Sequence, residues 1–262
     1  MAGIGAAFLD NLAPVIAALE QPAFPPQFER LIRSMLPFDH MLVLAYHRDR
    51  SPRILYANYS RPEVESLLPD YLASSYLLDP FYHAHQAGVP EGLYRLRDVA
   101  PDHFRRSTYY LTHYRKAGLS DEVTFLNRVG RHGLTVSLLR KEQGYGPFSG
   151  KEVAALRPYE ASIRALTVAH WRRLPELAGA ERSQSLPERI VAAAKAITGA
   201  DLTLRQAEIV GLVLRGHSSK AIALQLAISP ETVKVHRRNA YAKLGICSQA
   251  ELFRLLLTVL SR

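Results

Sequence analysis

The chain has 262 residues, 48% of them hydrophobic and 22% charged, and a formal net charge of +9. That length suits one large or two modest packed domains, and the composition excludes collagen-like, low-complexity and disordered chains. The single cysteine, Cys247, excludes a disulfide framework and a cysteine-based zinc site.

Taken in chain order, the first segment is apolar but lacks a positive start and carries Asp10 in mid-run, which argues against a secretory signal. Ile4, Phe8, Leu12, Val15 and Leu19 instead form a helical stripe, with a kink or break expected at Pro14. Residues 25–36 read as a second helix. Residues 40–48 and 53–59 read as a strand pair, with 49–52 (Asp-Arg-Ser-Pro) as its turn. A helix is expected over 62–77, and Asp79-Pro80 looks like the cap and first position of another. Residues 93–97 suggest a strand, and 105–117 a helix stopped by Gly118. A second hairpin is expected from 121–129 and 134–141 around Gly130-Arg131-His132-Gly133. Ser149 and Glu152 then form a capping box that opens a helix to about residue 174.

Helices alternating with hairpins predict an α+β domain, an antiparallel sheet with flanking helices in the manner of GAF or PAS sensors. Residues 175–187 are small and polar and mark a boundary. The expected division is a sensing and dimerisation domain at 1–178, a linker with a short helix at 179–198 (its helix at 188–197), and a helical domain at 199–262. No apolar run is long enough to span a membrane, so a soluble, cytoplasmic protein with no membrane partner is expected.

The helical domain carries the strongest local signals. Thr203 and Gln206 make a capping box, followed by Ile209, Val210, Leu212, Val213 and Leu214, and Gly216 ends the helix. Ser218 or Ser219 can cap the next helix, whose expected apolar face is Ala221, Ile222, Leu224 and Leu226. Ala227-Ile228-Ser229 is the short connection of a helix-turn-helix. Ser229 caps the third helix, Pro230 suits its first position and Glu231 favours its positive end. Val233, Ala240 and Leu244 lie on its buried stripe. Lys234, Val235, Arg237, Arg238 and Lys243 lie opposite. A bare Val among cations makes sense if Lys234 and Arg238 approach bases or phosphates while Val235 meets a thymine methyl. Ser248 opens a fourth helix with Leu252, Leu255, Leu256 and Val259. From residue 201 onward there are nine basic and four acidic residues, so the basic excess concentrates here, as a polyanion partner requires.

This segment closely resembles the LuxR-type DNA-binding domain. The matching residues include Leu202-Thr203, Arg205, Glu208, Gly216, Ser219-Lys220, Ile222-Ala223, Leu226, Ser229, Thr232-Val233-Lys234, His236 and Lys243-Leu244. The resemblance implies a four-helix domain in which Lys234, Val235 and Arg238 read the major groove and the fourth helix carries a dimer contact. The expected DNA-contacting set is Lys220, Thr232, Lys234, Val235, Arg237, Arg238 and Lys243. The N-terminal part also resembles the ligand-binding domains of LuxR-type regulators, in its order of elements and in Asp79-Pro80. In the acyl-homoserine-lactone receptors an Asp before Pro binds the ligand amide, and Asp79 matches it. Where those receptors carry Trp and Tyr, thirteen and nine residues earlier, this chain has Ser66 and Asp70. A Gly expected soon after Gly118 is Glu122.

Tyrosines supply apolar walls with an orienting hydroxyl. The expected ligand-binding set is therefore Tyr56, Tyr71, Tyr76, Asp79, Tyr82, Tyr110 and Glu122. The chain lacks P-loop, GxSxG and HExxH motifs, and His83-Ala84-His85 would point its rings to different sides of a helix. No enzyme activity, cofactor or metal is expected. The reading is a one-component transcriptional regulator that senses a small molecule other than a typical acyl-homoserine lactone. It would act as a homodimer on an inverted-repeat operator in double-stranded DNA. A true acyl-homoserine-lactone receptor, or a regulator whose N-terminal domain binds a protein partner, stay open as alternatives.

Overall fold

The structure is a computed structural model that describes residues 4–47, 50–174 and 184–260, without the side chains of Arg50, Phe253 and residues 256–260. Its chain divides into two compact units. One takes the described residues within 1–61, 84–99 and 118–180; the other takes 62–83, 100–117 and those from 184 on.

The first unit is built on five antiparallel strands: β1 (His40–His47), β2 (Arg50–Ala57), β3 (Gly92–Arg95), β4 (Leu119–Val129) and β5 (His132–Lys141). Their order across the sheet is β2-β1-β5-β4-β3. The β4–β5 hairpin turns at Gly130-Arg131, with Val129 paired to His132 and Gly130 at φ +57°, so the turn is tighter than the four residues expected. β2 starts at Arg50 and contains Pro52, which the sequence pattern placed in the turn. Pro lacks a ladder donor, and β2 can hold it because β2 is an edge strand.

One sheet face carries Met41, Val43, Leu93, Val123, Phe125, Leu134, Val136 and Leu138 into a single core. Against it lie α1 (Ile4–Ala17), α2 (Phe24–Met35), α6 (Gly150–Leu156) and α7 (Glu160–Trp171), which contribute Phe8, Phe28, Ile32, Leu156 and Ile163. Phe24 stacks on Phe28 and His170 and meets Trp171 edge-on, at centroid separations of 5.1, 4.0 and 5.6 Å. α1 runs through Pro14 without the expected break. Phe8 and Val15 are buried on either side of the proline, and their packing outweighs the lost hydrogen bond. The long helix expected after Ser149 is interrupted by a 3-10 turn at Arg157–Tyr159, where Pro158 cannot donate. Its capping box forms as expected.

The opposite face of β4 and β5 is buried too, yet polar. Thr124 and Ser137 stand directly across the ladder with their hydroxyls 2.9 Å apart, and Thr124 also bonds the Glu122 carboxylate at 3.1 Å. Glu122, Thr124, Thr135 and Ser137 are all at most 6% exposed. Strands covered on both sides do not alternate cleanly in hydropathy.

Arg140 on β5 is buried, and its guanidinium reaches the Pro37 carbonyl at 2.8 Å and the Glu152 carboxylate at 2.7 Å. Arg140 holds the Glu152 carboxyl down at about 2; partial burial opposes this, and Ser149 assists. The folded value lies below the ordinary one of 4.5. The pair therefore contributes stability that is present above about pH 4.5 and is lost as pH falls toward about 2. Thermal melts across that window should show the native chain losing stability faster than Glu152→Gln. Parallel curves would refute the pairing.

The second unit holds α3 (Arg61–Ala73), where the sequence suggested a helix to residue 77. A 3-10 turn at Ser75–Leu78 replaces its last part and sets up the extended Asp79. α4 (Pro80–Gln86) begins at Pro80, as expected. In the first unit, after β3, α5 (Leu96–Val99) takes the residues read as the end of that strand. The helix expected over 105–117 forms over 108–114, mostly as a π-helical turn, Tyr110–Tyr114, and is preceded by a 3-10 turn, Phe104–Arg106, and an extended Ser107. The rest of this unit is α8 (Leu186–Thr198), α9 (Leu204–Arg215), α10 (Ser219–Leu226), α11 (Pro230–Leu244) and α12 (Gln249–Leu260). Of the boundary segment read at 175–187, residues 175–183 lie outside the described residues; Ser185 and Glu188 form a capping box for α8. Among the described residues no helix is long and apolar enough to cross a membrane.

Candidate nucleic-acid interface and effector site

The helix-turn-helix is built by local chemistry at each helix end. Thr203 caps α9 and exchanges hydrogen bonds with Gln206. Ser218, of the two candidate serines, caps α10 through the amide of Ala221. Ser229 caps α11 through the amide of Thr232, with Pro230 in its first turn. α9 ends at Gly216 with φ +96°, and a side chain there would meet the His103 carbonyl at 2.7 Å. α10 ends at Ala227, which adopts φ +52° without being glycine. The tight turn imposes that conformation at a cost on the order of 1 kcal/mol.

Val233, Ala240 and Leu244 of α11 are buried, as their spacing requires. Lys234, Val235 and Arg238 are exposed on the far side, with Arg237 and Thr232 half-buried and Lys220 exposed on α10. Val235 is 43% exposed, an apolar patch between cations. The Lys243 ammonium behaves differently. It donates to the Asp201 carbonyl at 2.7 Å and to Gln206 Oε1 at 3.1 Å, tying α11 to the start of α9. On α10 the buried residues are Ile222 and Ala223, while Leu224, expected on the apolar face, is 77% exposed. At about 100° per residue Ile222, Ala223 and the half-buried Leu226 share one side of the helix, and Leu224 falls on the other. On α12 Leu252 is buried and Leu255 is half-buried, while the side chains of Leu256 and Val259 lie outside the described residues.

The second constellation centres on Asp79, which is 6% exposed. Its Oδ2 accepts the Tyr71 hydroxyl at 2.7 Å and the Tyr109 hydroxyl at 3.3 Å; its Oδ1 accepts the Phe81 amide at 2.8 Å. Burial pushes the carboxyl above its usual range, and the donors Tyr71, Phe81, Tyr109 and the Tyr82 amide pull against that. Asp79 thus caps α4 and gathers two phenols. His113 stacks near Tyr109 at 5.3 Å and tilts toward Tyr71 at 5.2 Å. Burial, with Lys116 nearby, lowers His113 to about 4, so its ring is neutral near pH 7. Tyr76 and Tyr82 meet edge-on at 5.2 Å, and Tyr110 stacks on Tyr114 at 5.9 Å.

Tyr71, Tyr76, Asp79, Tyr82 and Tyr110 of the expected ligand set therefore share one unit, and Tyr71 touches Asp79 directly. Tyr56 and Glu122 belong to the other unit. Tyr56 lines an open cleft of about 580 Å³ with Pro25, Pro26, His170 and Trp171, and it donates to Glu29. Glu122 anchors the polar track on the sheet. The sequence reading omitted Tyr109 and His113 from the site. Their four-residue spacing was the available signal, but it places them on one face without saying what that face meets. At 3.3 Å the Tyr109 bond is longer than the ordinary O–H···O range and longer than the Tyr71 and Phe81 bonds to Asp79.

A capped helix-turn-helix with an exposed cationic recognition face, joined to an α+β domain, defines a DNA-binding regulator. Comparison with known proteins identifies the group. The GerE model, of the luxR family of bacterial regulatory proteins, matches residues 200–256. A helix-turn-helix-type transcriptional regulator of Aeromonas salmonicida, encoded in the exeN 3' region, is 33% identical over 185 residues, covering 68% of this chain and 93% of that protein. The monoamine regulon transcriptional regulator of Klebsiella aerogenes is 51% identical over 51 residues, covering 20% of this chain and 22% of that one. The VqsR LBD domain of Pseudomonas aeruginosa superposes with a TM-score of 0.55 at 24% identity, covering 63% of this chain and 97% of that one. The chain belongs to the luxR family of regulators: a LuxR-type transcriptional regulator whose N-terminal part has the fold of that domain.

Proposed function

We propose that this regulator is a one-component sensor. A small molecule carrying a hydrogen-bond donor engages Asp79 among Tyr71, Tyr76, Tyr82, Tyr109 and Tyr110, and this controls operator binding by Lys220, Thr232, Lys234, Val235, Arg237 and Arg238. The protein acts as a homodimer on an inverted repeat, since one recognition helix buries too little surface alone. The working division is 1–178 for sensing and dimerisation, 179–198 as linker and 199–262 for DNA. The observation that carries the reading is a buried carboxylate meeting two phenols, with one contact long enough to be exchanged. A typical acyl-homoserine lactone is disfavoured. The positions that bear Trp and Tyr in its receptors hold Ser66, which is exposed, and Asp70, which pairs with Lys116 at 3.0 Å.

A panel of acyl-homoserine lactones and of phenolic, amide and amine compounds, read by thermal melting, tests the proposal. A donor-bearing compound outside the lactone class should raise the melting temperature of the native chain. Asp79→Asn should melt lower by about 1–3 kcal/mol of stability, because an amide oxygen cannot receive all these donors. It should also lose the compound's effect. A lactone as the sole stabiliser, or a full response in Asp79→Asn, would remove this reading.

A further inference from the structure

The segment that supplies Tyr109 to Asp79 also grips the DNA-binding domain. Asp102 Oδ1 accepts the Ser218 amide at 2.9 Å, and the neighbouring His103 amide donates to the Gly216 carbonyl at 2.9 Å. These two bonds hold the α9–α10 turn at both of its ends, the Gly216 stop and the Ser218 cap. Ser218 is the cap of α10, so the Asp102 carboxylate sits at the positive end of that helix. Partial burial opposes its ionisation, but the Ser218 hydroxyl and amide, with His103, hold it below the usual carboxylate range. It is therefore charged at neutral pH.

The connection from this grip to Asp79 is short and internally hydrogen-bonded. Phe104–Arg106 forms a 3-10 turn closed by the Ser107 amide on the Phe104 carbonyl at 2.9 Å. Ser107 is fully buried and receives the Tyr110 amide at 3.0 Å, which starts the next helical turn. Phe104 packs on Tyr109, Tyr110 and Tyr114 at 6.3, 5.6 and 5.6 Å. Phe104 thus contacts the Tyr109 ring and lies two residues from Asp102.

The geometry points to an autoinhibitory latch: with Tyr109 seated on Asp79, Asp102 occupies the α10 N-terminus with a negative charge and keeps the helix-turn-helix from the DNA backbone. In a helix-turn-helix the helix before the recognition helix crosses the backbone, and helix N-terminal amides are phosphate donors. A carboxylate seated there takes up the donor and repels the phosphate. This rests on Asp79 as the effector site: a ligand donor that replaces the Tyr109 hydroxyl frees the segment and withdraws Asp102.

The test uses the full chain without effector and a labelled mixed-sequence duplex at low salt, where phosphate contacts dominate binding. Asp102→Ala should bind about tenfold tighter than the native chain, the scale of one charge-assisted hydrogen bond. Glu231→Gln removes the same charge from the exposed start of α11 and sets the size of a pure charge effect. Tyr109→Phe changes no charge, and it should also tighten binding, severalfold. An Asp102→Ala gain no larger than that of Glu231→Gln overturns the latch. Unchanged affinity in Tyr109→Phe overturns its link to Asp79. Neither readout involves an effector. A failed compound panel with tighter Asp102→Ala binding removes the sensing reading alone, and a successful panel with unchanged Asp102→Ala binding removes the latch alone.

Discussion

Replacing Lys234 and Arg238 together with alanine should weaken binding to an operator selected from a randomised duplex pool by about 100- to 1,000-fold. Each side chain is exposed on the face of α11 opposite Val233, Ala240 and Leu244. A base contact from such a residue is worth about 1–3 kcal/mol. Lys234 lies 3.9 Å from Glu231, but both are well exposed, and a surface pair of this kind holds the ammonium back by little. The fold should persist, because neither residue reaches the buried stripe. Lys243→Ala is the informative contrast. Its ammonium ties Asp201 and Gln206, so its loss should lower the melting temperature while the remaining folded protein keeps most of its affinity. Fluorescence anisotropy beside melting curves separates the two effects. Native-like affinity in the Lys234, Arg238 double variant would remove α11 as the reading helix.

Arg140→Met should destabilise the first unit by about 3 kcal/mol, close to the cost of breaking a buried ion pair from one side. Arg140 is 2% exposed and its guanidinium lies 4.0 Å over the Phe148 ring. Removing it strands the Pro37 carbonyl and unlinks Glu152 from β5. The loss is held to the lower part of the range because Glu152 is one-third exposed and can rehydrate. Arg140→Lys should recover part of it, since one ammonium can reach a carbonyl or the carboxylate but lacks the fork that serves both. Urea denaturation midpoints measure this. A loss under about 1 kcal/mol for Arg140→Met would show that the pair is not the hub its geometry describes.

The features legible in the sequence are those set within a few residues. The caps Ser149, Thr203 and Ser229, the stop at Gly216 and the turn around Gly130 are decided by backbone donors and φ angles that near neighbours satisfy. With the hairpin patterns these were enough for the α+β class and for the helix-turn-helix. The stripe on α11 followed because burial there repeats with the helix itself. Asp79 as the cap of α4 was also visible, since its partner amide is two residues away.

What the tertiary structure alone decided depends on groups far apart in sequence. Nothing near Arg140 indicates that Pro37 will supply its acceptor, and nothing near Asp79 indicates Tyr109. Leu224 reads as apolar core by spacing and is exposed, because the packing turns the side bearing Ile222, Ala223 and Leu226 inward. Residues 62–83 and 100–117 read as part of the sensing domain, yet in space they group with the DNA-binding helices. Local free energies choose the helices and turns. Which of them pack together depends on complementary surfaces and on pairing every buried polar group, and no window of sequence contains both halves of such a contact.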